Sequence, residues 1–124
     1  MTSHVRRKLR RAAHDLEKAK IAYVILTYDG RNPPGDIVSI TFLDRQGAPV
    51  SDDLLPKKTY YLLGHDVSVR TIMEYIGHWL LPSGWADSPG STGTLTVDLK
   101  ARVVHHEHHQ RHLVTEVHEE DIGF

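Results

Sequence analysis

The chain of 124 residues contains no cysteine, and this absence excludes several kinds of chemistry at once. Disulfide bridges, a thiolate nucleophile and cysteine-ligated zinc all need a sulfur that the sequence does not supply. No apolar run approaches the roughly 18 residues that a membrane-spanning helix requires. The basic amino terminus also lacks the apolar core of a signal peptide. We therefore expect a cytoplasmic protein that makes no contact with a membrane.

The chain also lacks an excess of either charge, because its formal net charge at pH 7 is -1. No global field would therefore draw in nucleic acid or a membrane surface. The charges are nevertheless unevenly spread. Residues 1–20 carry seven lysines and arginines against two acids, whereas residues 107–124 carry five acids against one arginine. These two ends can pair with each other, or each can meet its own partner.

Residues 3–19 predict a basic amphipathic helix, capped at its amino end by Ser3. Apolar residues recur along it at spacings of three and four, which is the pattern of one buried stripe. The stripe consists of Val5, Leu9, Ala12, Leu16 and Ala19.

The other faces of this helix are strongly cationic. They are either a solvated surface or a surface that binds phosphates or acids, because several cations within two turns form a positive patch. These cations are Arg6, Arg7, Lys8, Arg10 and Arg11.

The centre of the chain predicts three strands and a second helix. Residues 20–28 form a continuous apolar and β-branched run, so we expect a central strand buried on both faces. Residues 37–43 predict a strand that places Val38, Ile40 and Phe42 on one face. Residues 58–63 predict a third, short strand. The second helix lies within residues 64–85, capped by Asp66 or Ser68 and ended by a proline.

Residues 94–118 predict a closing β-meander. Its first strand alternates strictly, with Leu95, Val97 and Leu99 on one face. Residues 102–109 then pair back against this strand, and residues 113–118 close the meander. The predicted order is helix, three strands, helix, three strands. Neighbouring strands in groups indicate a single α+β domain over residues 1–124, with a largely antiparallel sheet and two helices on one face.

Six of the ten histidines lie in this meander. Side chains two apart on a strand share a face and lie about 6.5–7 Å apart, so His106 and His108 point the same way. Such a pair can hold zinc if a third ligand arrives from a neighbour, for which His118, His112 and Asp98 are the candidates. A polar, exposed hairpin and a surface that responds to pH near histidine's pKa of about 6.5 are the other interpretations.

Two carboxylates, Asp29 and Asp36, flank a loop rich in glycine and proline. They can bind a cation or a partner's basic side chain, or they can serve ordinary turn chemistry. The same loop lacks the Lys-Ser/Thr pair of a phosphate-binding loop, and no serine lies in a nucleophile elbow. We therefore expect no enzyme of these classes.

Three short motifs resemble those of a family of small uncharacterised bacterial proteins, over roughly residues 21–118. The resemblance implies an α+β fold and no activity. The motifs are Tyr28-Asp29-Gly30 with Gly35-Asp36-Ile37, which looks like the family's strand, loop and returning strand; Gly84-Trp85, which is similar to its Gly-Trp turn; and Gly93-Thr94-Leu95-Thr96-Val97-Asp98 with Arg102 and Arg111, which looks like its closing hairpin.

These observations together predict a small non-enzymatic accessory or regulatory protein that acts through protein contacts, for example in a bacterial defence or mobile-element system. Nucleic-acid binding by the first helix is one alternative. A metal site or a metal-dependent enzyme on the histidine-rich hairpin is the other, with His106, His108 and His118 as ligands. We expect no cofactor, except zinc under this last alternative. The expected partner-binding residues are Arg6, Arg7, Arg10, Arg11, Asp29 and Asp36.

Overall fold

A computed structural model describes residues 1–30, 36–81, 91–110 and 116–124 of the chain. These residues form an α+β domain, as the sequence predicts, and the helices and strands follow the predicted order with one short strand added. The elements are helices α1 (Ser3–Lys18) and α2 (Val69–Leu80), and strands β1 (Ile21–Asp29), β2 (Asp36–Asp44), β3 (Tyr60–Leu62), β4 (His65–Val67), β5 (Thr92–Asp98), β6 (Val103–Gln110) and β7 (Glu116–Gly123).

Five of the strands form one sheet in the order β2-β1-β5-β6-β7, and every neighbouring pair is antiparallel. The predicted meander is therefore present as β5, β6 and β7. Its last strand is Glu116–Gly123, later in the chain than the predicted 113–118. Residues 111–115 lie outside the described part of the chain.

The helices and one face of the sheet enclose a common apolar core. Helix α1 contributes Val5, Leu9 and Leu16, each at most 1% exposed, and the central strands contribute side chains such as Leu26 and Leu95. Burial of this kind stabilises a fold by about 25 cal/mol for each Å² of apolar surface that leaves water. The predicted placement of both helices on one face is confirmed. No helix among the described residues is both long and apolar enough to cross a lipid bilayer.

The caps of the helices differ slightly from the predicted ones. Thr2, and not Ser3, caps α1, because the helix already includes Ser3 and the Thr2 hydroxyl accepts a hydrogen bond from the Val5 amide. Ser68 caps α2 by accepting from the Thr71 amide at 3.3 Å. Asp66, the alternative cap, belongs to strand β4.

The prediction that the first strand is buried on both faces is wrong. Its side chains alternate, with Val24, Leu26 and Tyr28 buried and Ile25 and Thr27 only half-buried. The cause is the one-sided layer of helices, which covers a single face of the sheet. The strand is nevertheless interior, because it pairs with β2 on one side and β5 on the other.

Strand β2 contains an irregularity that turns Val38 away from the core. Thr27 pairs with Ser39 but Tyr28 pairs with Ile37, so one extra residue is inserted in β2 at Val38. Ile37 is accordingly 8% exposed and Val38 is 60% exposed. The prediction that Val38 shares a core face with Phe42 is therefore wrong.

The predicted third strand is not part of the large sheet. It pairs with β4 in a separate two-stranded hairpin. Leu63 and Gly64 form its two-residue turn, and both have positive φ, as a tight hairpin turn of this length requires.

Candidate functional site

Strand β6 divides its histidines between the two faces of the sheet. His106 and His108 lie on the inner face with the buried Val104, whereas His105 and His109 lie on the outer face. This follows from the two-residue period of a strand. His106 is only 3% exposed, so its imidazole is part of the domain interior.

The hydroxyl of Tyr28 lies between the two inner histidines. Its Oη atom is 2.8 Å from Nε2 of His106 and also forms a short hydrogen bond with Nδ1 of His108. Tyr28 comes from β1, which is separated from β6 by β5. The ring spans this gap because β5 presents Gly93 beneath it, where any Cβ would collide with the phenol.

Each inner imidazole has a polar partner for its second nitrogen. His106 Nδ1 lies 3.5 Å from Oε1 of Glu120 on β7. His108 Nε2 lies 3.3 Å from Oγ of Ser91, which is fully buried. We name the five residues Tyr28, Ser91, His106, His108 and Glu120 the Tyr28 cluster. Its four contacts run in series from Ser91 to Glu120.

Burial sets the protonation of this cluster. It raises the pKa of Tyr28 well above the usual range of a phenol, so the hydroxyl keeps its proton. It also lowers the pKa of His108, with a smaller contribution from the charge of His106. Burial lowers the pKa of His106 as well and outweighs the opposing effect of Glu120. Both imidazoles are therefore neutral at pH 7.

The protonation states then determine which atom donates and which accepts in each hydrogen bond of the cluster. The carboxylate of Glu120 favours a proton on Nδ1 of His106, so Nε2 of that ring accepts from the Tyr28 hydroxyl. The Tyr28 oxygen must then accept from Nδ1–H of His108. His108 Nε2, left with its lone pair, accepts from the hydroxyl of Ser91. We assign one donor and one acceptor to every contact on this basis.

The outer histidines pair with acids instead. His105 Nδ1 donates to Oδ1 of Asp121 at 2.5 Å, and this hydrogen bond raises the pKa of His105. His109 Nε2 lies 2.6 Å from Oε1 of Glu107 on the same strand. Acids in the carboxyl-terminal part of the chain thus have imidazole partners within the β6–β7 hairpin.

A second candidate surface is the exposed face of α1. At 3.6 residues per turn, Arg7, Arg11, His14 and Lys18 fall within an arc of about 60°, directly opposite the buried stripe. All four are exposed, and Arg10 is exposed beside them. We name these five residues the basic face.

The predicted partner-binding residues are thus only partly brought together. Arg7, Arg10 and Arg11 belong to the basic face, whereas Arg6 is half-buried and its Nε atom is buried without a hydrogen-bond partner in the described part of the chain. Asp29 and Asp36 pair in register across β1 and β2, at the base of a loop whose residues 31–35 lie outside the described ranges.

The predicted metal ligands are placed on one face of the sheet. His106 and His108 converge on Tyr28, and His118 pairs in register with His108 across β6 and β7. Among the described residues, no three His, Asp or Glu side chains are arranged to hold an ion.

Sequence reasoning did not find Tyr28, Ser91 or Glu120. The strand period could have indicated Glu120, because it pairs with His106, but Tyr28 is 78 residues from its histidine partner.

Comparison with known proteins adds no assignment. No protein-family model matches the chain, and no curated protein and no solved structure is significantly similar to it. The resemblance to a family of small bacterial proteins stays a prediction.

Proposed function

We propose that this is a small accessory binding protein that docks an acidic protein surface against the basic face of α1. One observation carries the proposal: four of the six lysines and arginines of this helix, Arg7, Arg10, Arg11 and Lys18, are exposed on the side opposite the residues that anchor it to the core.

Helix stability explains Lys18, which lies in the last turn, but not the cations in the amino-terminal half of α1. The first turn of α1 contains no acid, and Arg7 follows within two turns of the amino end, where positive charge opposes the helix dipole. Arg7 and Arg10 form no ion pair or side-chain hydrogen bond within the described ranges. Their charges are therefore available to a partner.

Charge balance favours a protein over a nucleic acid as that partner. Nucleic-acid-binding domains are strongly basic as a whole, whereas this chain has a pI of about 6.8. Strand β7 also exposes Glu119, Glu120 and Asp121, which would repel a long polyanion. A compact acidic patch on a protein needs only the basic face and avoids this repulsion.

The test compares two pairs of charge reversals. The partner is first identified by affinity capture from the source organism. The purified partner, without a tag, is then shown to form a complex of fixed stoichiometry with the purified chain. Arg7→Glu with Arg10→Glu should then weaken binding about tenfold or more, which corresponds to roughly 1.4 kcal/mol. Arg45→Glu with Lys57→Glu makes the same change of charge at exposed positions outside α1 and should have little effect.

Three results would contradict the proposal. The first is a chain that stays a monomer and captures no stoichiometric partner. The second is equal weakening by both pairs of reversals. The third is a salt-sensitive shift of DNA or RNA that the α1 reversals abolish, because this result assigns the basic face to nucleic acid.

A further inference from the structure

The arrangement around Tyr28 matches that of histidines that ligate a metal. A ligating imidazole directs one nitrogen at the ion, and its second nitrogen is held by a carboxylate, hydroxyl or backbone group that fixes the ring. His106 and His108 both have this arrangement. Their converging nitrogens meet at one hydroxyl, and Glu120 and Ser91 hold the outer nitrogens at 3.5 and 3.3 Å.

We propose that Tyr28, His106 and His108 form a binding site for a divalent first-row transition ion such as zinc. Nε2 of His106, Nδ1 of His108 and Oη of Tyr28 bond to the ion, and the O–H bond of Tyr28 breaks. That proton leaves to solvent. The proton on Nδ1 of His108 moves to Nε2 of the same ring, and this N–H then donates a hydrogen bond to the Ser91 oxygen. One proton is thus released for each ion bound.

The three donors must move apart to accept the ion. Zinc bonds to nitrogen at about 2.0–2.1 Å, which places neighbouring ligands of a tetrahedral site about 3.3 Å apart. The Tyr28 oxygen, 2.8 Å from His106 Nε2, must therefore retreat by about 0.5 Å from that nitrogen, and further from His108 Nδ1, with which its hydrogen bond is shorter. A water molecule completes the coordination shell of the ion.

The charges also balance in this largely buried place. A divalent ion brings two positive charges; the Tyr28 phenolate supplies one negative charge within the site, and the exposed Glu120 carboxylate beside His106 supplies the second at its edge. A buried charge is tolerated only when it is compensated in this way. The site thus differs from the outer histidines, of which His105 and His109 already pair with acids.

Tyrosine ionisation gives the site a signature that surface histidines cannot produce. A phenol has an ordinary pKa of about 10 and is therefore protonated at neutral pH. A tyrosinate band in the ultraviolet difference spectrum would therefore appear only when an ion displaces the proton. The measurement needs no variant and no assumption about activity.

The experiment uses the full chain, purified without a histidine tag and freed of metal. Zinc is added at pH 7 while the difference spectrum is recorded, and calorimetry in two buffers of different ionisation enthalpy counts the protons. We expect one ion bound, one proton released and one tyrosinate formed per chain. Binding of less than a tenth of an equivalent, or binding without tyrosinate formation, overturns the proposal.

Variants locate the ion. Tyr28→Phe keeps the ring over Gly93 and should abolish proton release and the tyrosinate band, with affinity reduced about tenfold or more. The matched control is His105→Gln with His109→Gln, which removes two histidines from the outer face of the same strand and should change neither. If the double histidine variant loses binding and Tyr28→Phe does not, the ion lies on the hairpin surface and the proposed site is wrong. Failure here leaves the proposed docking by α1 untouched, because the two surfaces share no residue.

Discussion

Replacing Gly93 by alanine tests how the fold brings Tyr28 to the histidines. A Cβ at this position would overlap the Tyr28 phenol and would lie 2.5 Å from the backbone oxygen of Glu107. The phenol is a rigid ring in a buried place, and the oxygen belongs to the paired strand β6, so neither can yield without a shift of the sheet. We therefore expect Gly93→Ala to destabilise the fold and to move the Tyr28 hydroxyl away from both imidazoles.

The magnitude follows from three contributions. Overpacking of a buried site costs about 1–3 kcal/mol. Loss of the two Tyr28 hydrogen bonds adds about 1–3 kcal/mol at 0.5–1.5 kcal/mol each. Replacement of glycine in a strand recovers about 0.5–1 kcal/mol of backbone entropy. The free energy of unfolding should thus fall by about 1–5.5 kcal/mol.

Urea unfolding monitored by circular dichroism measures this change, provided that the m-value, the slope of the unfolding free energy against urea concentration, is the same for both proteins. Gly77→Ala is the matched control. Its Cβ would lie 2.7 Å from Cδ2 of Leu26, the end of a flexible side chain, and alanine stabilises the helix by about 0.8–1 kcal/mol relative to glycine. The control should change stability by less than about 1 kcal/mol. A Gly93→Ala protein within about 0.5 kcal/mol of the wild type would refute the described packing of Tyr28.

Three further outcomes are expected from the fold. Ile37→Ala should lower the free energy of unfolding by about 2–4 kcal/mol. Val38→Ala should change it by less than about 0.5 kcal/mol, because the inserted residue turns Val38 outward. A larger loss for Val38→Ala than for Ile37→Ala in urea unfolding would contradict the irregularity in β2. Tyr60→Phe should cost about 1.5–3 kcal/mol in the same assay, because Tyr60 donates at 2.6 Å to the buried carboxylate of Asp15. Burial raises the pKa of Asp15, but the hydrogen bond from Tyr60 and the charge of Lys58 outweigh this effect and hold the pKa below its ordinary value. This stabilisation is therefore complete above about pH 4 and lost as the pH falls through the lowered pKa, so the difference between wild type and Tyr60→Phe should narrow in acid; a difference that is constant with pH would contradict the pair.

Periodicity predicts the architecture because burial on one face leaves a direct trace in the sequence. The alternation of Leu95, Val97 and Leu99 and the three-four spacing along α1 are both reproduced by the buried residues. The same reasoning fails at Val38. An inserted residue is visible only in the register with the partner strand, and a continuous apolar run such as β1 does not reveal whether one face or both are covered.

The candidate site is predictable only where it is local. The shared face of His106 and His108 follows from the strand period, and the basic face follows from the helix period. Tyr28 enters through the strand order β1-β5-β6, and it needs Gly93 on the strand between. Neither the strand order nor the register is encoded in a local pattern, so no window of sequence could have joined these residues.

The Tyr28 cluster is a departure from the rule that shapes the rest of the core. The inner face of β6 begins with Val104, which is buried. The neighbours of His106 on β5 and β1 are Leu95 and Leu26, both at most 1% exposed. An apolar residue in place of His106 would continue this face without any polar atom to satisfy, and buried polar networks are commonly no more stable than such packing. Local rules of this kind are broken mainly at functional places. The amino-terminal cations of the basic face are a second departure, because positive charge near that end opposes the helix dipole, whereas Lys18 in the last turn agrees with it. The two lie on different elements and share no residue, and we therefore propose a separate ligand for each.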